Sequence, residues 1–206
     1  MMHPGLQIIR EEHAAMTAVI TSLAALVERG PDDEPIGYFE SLRTMLFYLE
    51  EFPDRLHHAR ESRLLFPKLA QVAPELSDLM RRLDAEHHEG VAALRRLQNL
   101  LLGWELIGED RHDDLTAAMR DYVHGYLEHI RVEETQLLPV AEQRFTTTDW
   151  DELECASHDL RDPHGGGTLD AMYARLLSRV VLTAPMSVAG AIGRAVPHTA
   201  PSRGAL

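Results

Sequence analysis

Two segments of the chain share a spacing that could hold metal ions. In HHARESRLLFP, His57 is followed four residues later by Glu61 and six after that by Pro67. In HIRVEETQLLP, His129, Glu133 and Pro139 repeat both intervals, and a leucine stands two residues before each proline, at Leu65 and Leu137. Two other segments match each other as well, Ile9-x-x-Glu12-His13 and Leu83-x-x-Glu86-His87. His13 and His57 lie 44 residues apart, His87 and His129 lie 42 apart. The pattern reads as a duplicated helical hairpin, each copy delivering one His from its first helix and a His-x3-Glu pair from its second.

Residues four apart on a helix project from one face, one turn apart. The four His and two Glu fall on stripes otherwise occupied by Leu, Ile and Met, so each helix aims its polar groups inward. Enclosing two carboxylates and four imidazoles in a core is very unfavourable unless something satisfies them. Cations do so. Imidazole nitrogen with carboxylate oxygen suits iron, manganese or zinc, and bundle cores are known to hold two-metal carboxylate sites. Two pseudo-equivalent halves give two ions as the natural count, with Glu61 and Glu133 bridging both and two His terminating each.

Residues beside this set carry lesser readings. His58 and His88 point about 100° away from their neighbours on a regular helix, toward solvent or just outside the ligands. Glu134 would replace Glu133 if the helix were locally distorted. Glu12 and Glu86 read as members of surface ion pairs, with the holding of an imidazole N–H as the alternative. Tyr126 shares the face of His129 and Glu133, either as an amphipathic core residue or with its hydroxyl beside the ions. The candidates for a supporting layer are therefore Tyr126, His58, Glu86 and Glu134. His124 lies off the stripe, and His3, His112, His158, His164 and His198 fall in ends or loops without an assigned role.

Four long stretches must position these side chains. The first carries Leu6, Ile9, His13, Met16, Ile20, Leu23 and Val27 at alternating spacings of three and four, and breaks at Gly30, Pro31 and the acidic run 32–34. The second runs from Phe39 through Leu42, Leu46, Leu49, His57 and Glu61 to Phe66-Pro67, with a kink expected at Pro53. The third holds Met80, Leu83, His87, Leu94, Leu97 and Leu101 up to Gly103; the fourth holds Leu115, Met119, Tyr122, Tyr126, His129 and Glu133, with Pro139 near its end. Connections of about eight to ten residues and the absence of period-two alternation predict an all-α, up-down antiparallel four-helix bundle over 1–145. From 146 to 184 a helical extension is expected to pack on it. Asp149 with Glu152 reads as a capping box, and Thr168 as the cap of a second helix after a glycine-rich loop. Residues 185–206, with few charges and three prolines, read as a mobile tail.

Composition narrows the function. With 20 Lys and Arg against 33 Asp and Glu, the formal charge is -13, which disfavours nucleic acid and anionic membranes as partners. A single cysteine, Cys155, excludes an internal disulfide and any cysteine-rich metal site. The first residues show no basic segment followed by an apolar run, so a cytoplasmic protein is the expectation.

Glu12-His13, HHARESRLLFP, Glu86-His87 and HIRVEETQLLP together resemble the hemerythrin-like, HHE cation-binding family over roughly residues 1–145. The stretch 149–180 is similar to an extension of some bacterial members. The resemblance implies a non-haem di-iron centre held by His13, His57, Glu61, His87, His129 and Glu133, with an oxo, hydroxo or water bridge, and with manganese or zinc as substitutes. Hemerythrins proper carry a second third-helix His where this chain has Val91, and place the last carboxylate five residues after its His rather than four. Those departures leave open metal positions and point toward sensor and redox members more than oxygen carriers.

The expectation is a metal- and gas-binding protein of stress response, taking dioxygen, nitric oxide or peroxide, rather than a dedicated enzyme. The alternatives are an enzyme acting on peroxide or nitric oxide, an iron donor for iron–sulfur repair, and a regulatory module in which the metals serve structure. A protein or redox partner is not named by the sequence.

Overall fold

The computed structural model describes residues 3–31, 35–159 and 169–183, together with Gly190 and Gly193. The expected acidic run at 32–34, the glycine-rich loop, the cap at Thr168, His164, His198 and nearly all of the expected tail lie outside the described residues. All the described elements are helical, and among the described residues no helix is long and apolar enough to cross a membrane.

Helix α1 (Pro4–Arg29) begins where the His3 ring accepts the Gly5 N–H at 3.2 Å, with Pro4 in a position that needs no intrahelical donor. It ends at Gly30, whose φ of 75° is a left-handed conformation that glycine adopts without strain. The second stretch forms one long run: α2 (Pro35–Leu49), a π-helical segment Glu50–His57, α3 (His58–Arg60), a second π segment Glu61–Leu65, and α4 (Phe66–Val72). Pro53 lies inside the first π segment, where the His58 N–H reaches back five residues to its carbonyl. The kink expected there takes the form of a widened turn, one of the ways a helix accommodates a residue that crowds the preceding turn and donates nothing.

Helix α5 (Ser77–Ile107) stops at Gly108, with φ of 120°. Helix α6 (His112–Val132) continues through a π segment, Glu133–Leu137, into α7 (Leu138–Arg144). Neither Phe66-Pro67 nor Pro139 ends its run, because each proline falls in the first turn of the next α-helical stretch. The connections are also shorter than expected. Ala73 and the 3-10 turn Pro74–Leu76 join α4 to α5, and Gly108 with the turn Glu109–Arg111 joins α5 to α6.

Helix α1 packs on α2 and α6, and α5 packs on α2 and α6. Cross-links show that α1 runs opposite to both α6 and the second run. Arg10 pairs with Glu134 while Glu28 pairs with Arg120, and Tyr38 donates to the Leu26 carbonyl while His13 meets His57. Two apolar clusters fill the interior. One contains Met16, Ile20, Leu46, Leu56, Leu97 and Trp104; the other contains Leu6, Leu65, Leu69, Leu83, Leu137 and Trp150. The inward His and Glu form a polar layer between the two.

Helix α9 (Leu169–Thr183) lies on α2 and buries Leu177 and Val180. Helix α8 (Thr147–Asp159) lies against the Glu61–Leu65 segment. Its cap is not the expected Asp149/Glu152 pair. Thr146 Oγ1 accepts the Asp149 N–H at 3.2 Å while Asp149 accepts the Thr146 N–H at 2.8 Å, one box earlier in the sequence. Glu152 instead joins Asp149 in holding Lys68 of α4, at 2.6 and 2.9 Å.

Candidate metal centre

All six residues expected as ligands are buried, none more than 6% exposed: His13, His57, Glu61, His87, His129 and Glu133. Their imidazoles meet in two pairs. The Nε2 atoms of His13 and His57 are 3.0 Å apart, and those of His87 and His129 are also 3.0 Å apart. Each carboxylate lies between the pairs with one oxygen toward each. Glu61 sends Oε1 to 3.3 Å from His57 and Oε2 to 3.5 Å from His87; Glu133 sends Oε2 to 3.3 Å from His13 and Oε1 to 3.3 Å from His129.

The four carboxylate oxygens are buried and make no hydrogen bond of good geometry. A buried carboxylate left without a positive partner costs about 3–5 kcal/mol, so imidazolium protons or cations must compensate these two. Cations between the imidazole pairs would satisfy all four. Two donor groups have their ligand atoms mutually within 4.8 Å: His13, His57, Glu61 and Glu133 in one, His58, Glu61, His87 and His129 in the other. The residues present therefore fit a cation-holding site.

A regular rule connects the outer nitrogens to their supports. The residue preceding the His of each first helix holds the His of the second helix in the same hairpin: Glu12 accepts from His57 Nδ1 at 2.8 Å, and Glu86 from His129 Nδ1 at 2.9 Å. The residue following each buried Glu reaches across to the other hairpin: Glu134 accepts from His13 Nδ1 at 2.9 Å, and Ser62 meets His87 Nδ1 at 3.1 Å. Protons held at Nδ1 leave Nε2 as the inward lone pair, the arrangement that metal-binding histidines use. Glu12 and Glu86 thus take the imidazole-holding alternative, and Glu134 supports His13 while Glu133 occupies the inner position. Glu12 is itself gripped by Arg60, and Arg10 holds Glu134 at 3.2 Å.

Ser62 was missed by sequence reasoning; its signal is the position after Glu61, matching Glu134 after Glu133. Of the two readings for His58, the solvent-facing one does not hold: the ring is 8% exposed and stacks on His87 with centroids 4.0 Å apart. It is one of the four donors of the second group. His88 is exposed and bonds the Asp84 carbonyl of its own helix. Tyr126 is buried, its ring 6.1 Å from His58 and its hydroxyl donating to Met16 Sδ at 3.2 Å. His124 is exposed, as expected, and His112 stacks on Trp104.

The electrostatics of the metal-free site follow from these contacts. Burial alone would lower the His13 pKa, but Glu133 and Glu134 beside it hold it up at about 10. His129 is likewise held at about 9 against burial by Glu133 and Glu86, and His57 is raised against burial by Glu61 and Glu12. Burial wins at His58 and His87, both pushed down to about 3. At His87 burial and then the adjacent His58 do the lowering; its outer nitrogen meets the Ser62 hydroxyl at 3.1 Å, with the Asp84 carboxylate no closer than 4.0 Å. Glu61 and Glu133 stay below the ordinary carboxylate range although burial opposes ionisation. Imidazolium protons thus neutralise the carboxylates when cations do not.

Comparison with known proteins agrees with this chemistry. The model of the family described as hemerythrin HHE cation binding domain matches residues 5–141, from α1 into α7. No curated protein matches the chain.

Proposed function

Because the chain belongs to the hemerythrin HHE cation-binding family, we propose that its polar layer holds two iron ions and binds small diatomic ligands at them. In this reading the helices form the up-down four-helix bundle of the sequence-based expectation. His13 and His57 would hold one ion and His87 and His129 the other, with Glu61 and Glu133 offering an oxygen to each side. His58 adds a third imidazole to the His87/His129 half. The observation that carries the proposal is the pair of buried carboxylates whose oxygens divide between two imidazole pairs.

Imidazole nitrogen with carboxylate oxygen suits iron, with manganese or zinc as substitutes. When bound, iron would supply open positions and an electron shift toward the incoming ligand. The protein holds the imidazoles by Glu12, Glu86, Glu134 and Ser62, and surrounds the layer with apolar side chains that limit water. The Tyr126 hydroxyl donates to Met16 Sδ at 3.2 Å.

Metal analysis after iron-replete expression tests this, combined with visible spectra under nitrogen, air, azide and nitric oxide. Close to two irons per chain and ligand-dependent bands are expected. A chain with no bound metal after such expression overturns the proposal.

A further inference from the structure

A cavity of about 100 Å³ lies between the start of α1, the Glu61–Leu65 segment and α8. It is half-open; its walls include Ile9, Leu64, Trp150 and Leu153, and His57, Arg60 and Glu61 also line it. The apolar space therefore touches one terminal imidazole and one bridging carboxylate of the layer. Two wall residues belong to α8, beyond the residues that the family model matches.

That part of the wall is built rather than casually placed. Trp150 is 5% exposed, stacked on His3 with centroids 5.3 Å apart and packed edge-on to Phe145 at 5.1 Å. The α1 backbone comes close beneath it, since a Cβ at Gly5 would stand 3.2 Å from the indole. The Thr146–Asp149 cap and the Lys68 pairs to Asp149 and Glu152 fix the start of α8 against α4.

We propose that α8 completes a pocket for one small uncharged diatomic molecule beside the His13/His57 half, with Trp150 and Leu153 setting its size and access. The proposal rests on the two-cation reading for the chemistry at the inner end of the pocket. An enclosed apolar cavity of about 150 Å³ admits xenon or benzene, and this mostly apolar, half-open pocket has room for a diatomic.

Crystals of the full chain as purified, pressurised with xenon, test the pocket without reference to metal. One xenon bordered by Trp150 and Leu153 is expected in the wild type and none in Leu153→Phe. In the iron-loaded chain, Leu153→Phe is expected to slow nitric oxide association by about tenfold at unchanged iron content, and Leu153→Ala to leave it equal or faster. No xenon in the wild type overturns the pocket. Equal association rates in wild type and Leu153→Phe, at equal iron content, overturn its role as the ligand's site of approach. Xenon bound in a chain that takes up no iron supports the pocket and instead overturns the reading of the centre.

Discussion

His58 lies flat on His87, the rings 10° from parallel and their centroids 4.0 Å apart. Both are buried, and both sit beside Glu61 and His129. In the proposed centre a third imidazole at this half would stand in for the nitrogen that the third helix does not supply at Val91. The two ions of the proposed centre would then differ, one with two imidazoles and one with three.

The substitution His58→Ala should therefore lower the second equivalent of metal selectively. Iron per chain is expected to fall from about two toward one at limiting iron, with affinity at the weakened half down by at least about tenfold. His88→Ala, on the exposed face of α5, should leave metal content unchanged. Equal stoichiometry in wild type and His58→Ala would remove His58 from the ligand set.

The contrast between His58 and the other six inward residues marks what the sequence could convey. His13, His57, Glu61, His87, His129 and Glu133 were legible because each replaces an apolar residue on a stripe of regular spacing. His58 was not, because an angle of about 100° per residue assumes an unbroken α-helix, and this residue stands between two π segments. Spacing within one helix also cannot show which neighbour a side chain meets. Glu12 and Glu86 looked like surface groups because their partners, His57 and His129, lie on other helices. The prolines read as helix ends for the same local reason: the widened turns that precede them become visible only in the backbone.

The supports of His13 and His87 differ, a carboxylate at Glu134 and a hydroxyl at Ser62. A carboxylate fixes the ring and makes its inward nitrogen more basic, so Glu134→Ala should weaken metal binding by roughly 10–100-fold. Ser62→Ala removes only a neutral contact and should cost less. Competition against a chelator of known affinity ranks the two variants. A larger loss in Ser62→Ala would show that ring orientation, not charge, dominates.

Pro139 follows Glu133 by six residues, as Pro67 follows Glu61. In each case the π segment starts at the buried Glu, and the Leu138 N–H reaches five residues back to the Glu133 carbonyl, as Phe66 does to Glu61. Pro139→Ala restores a donor and lets this turn tighten to α geometry, which would rotate Glu133 relative to Leu137 and Leu138. Metal affinity should drop several-fold, while metal-free stability shifts by only about 1 kcal/mol or less. Chelator competition and thermal melts of the same samples separate the two effects. Unchanged affinity would mean that the widened turn does not depend on the proline.

The metal-free chain should be most stable near pH 6.5 and lose stability on both sides. His13 and His129 have folded pKa values of about 10 and 9, above an unfolded value of about 6.5. Their contribution is complete below about pH 6.5 and is lost as pH rises toward 9 and 10. His58 and His87, lowered to about 3, act oppositely, and their contribution is lost as pH falls from about 6.5 toward 3. Metal binding requires unprotonated imidazoles, so the loaded chain gains where the metal-free chain weakens on the alkaline side. Free metal at 100 times its Kd adds about 2.7 kcal/mol per site, or roughly 5–10 °C in Tm for a chain of this size. Calorimetry of loaded and chelator-treated protein from pH 5 to 9 should show the Tm gap widening as pH rises. A gap that narrows, or a metal-free Tm independent of pH, would show that protons do not stand in for cations between these carboxylates.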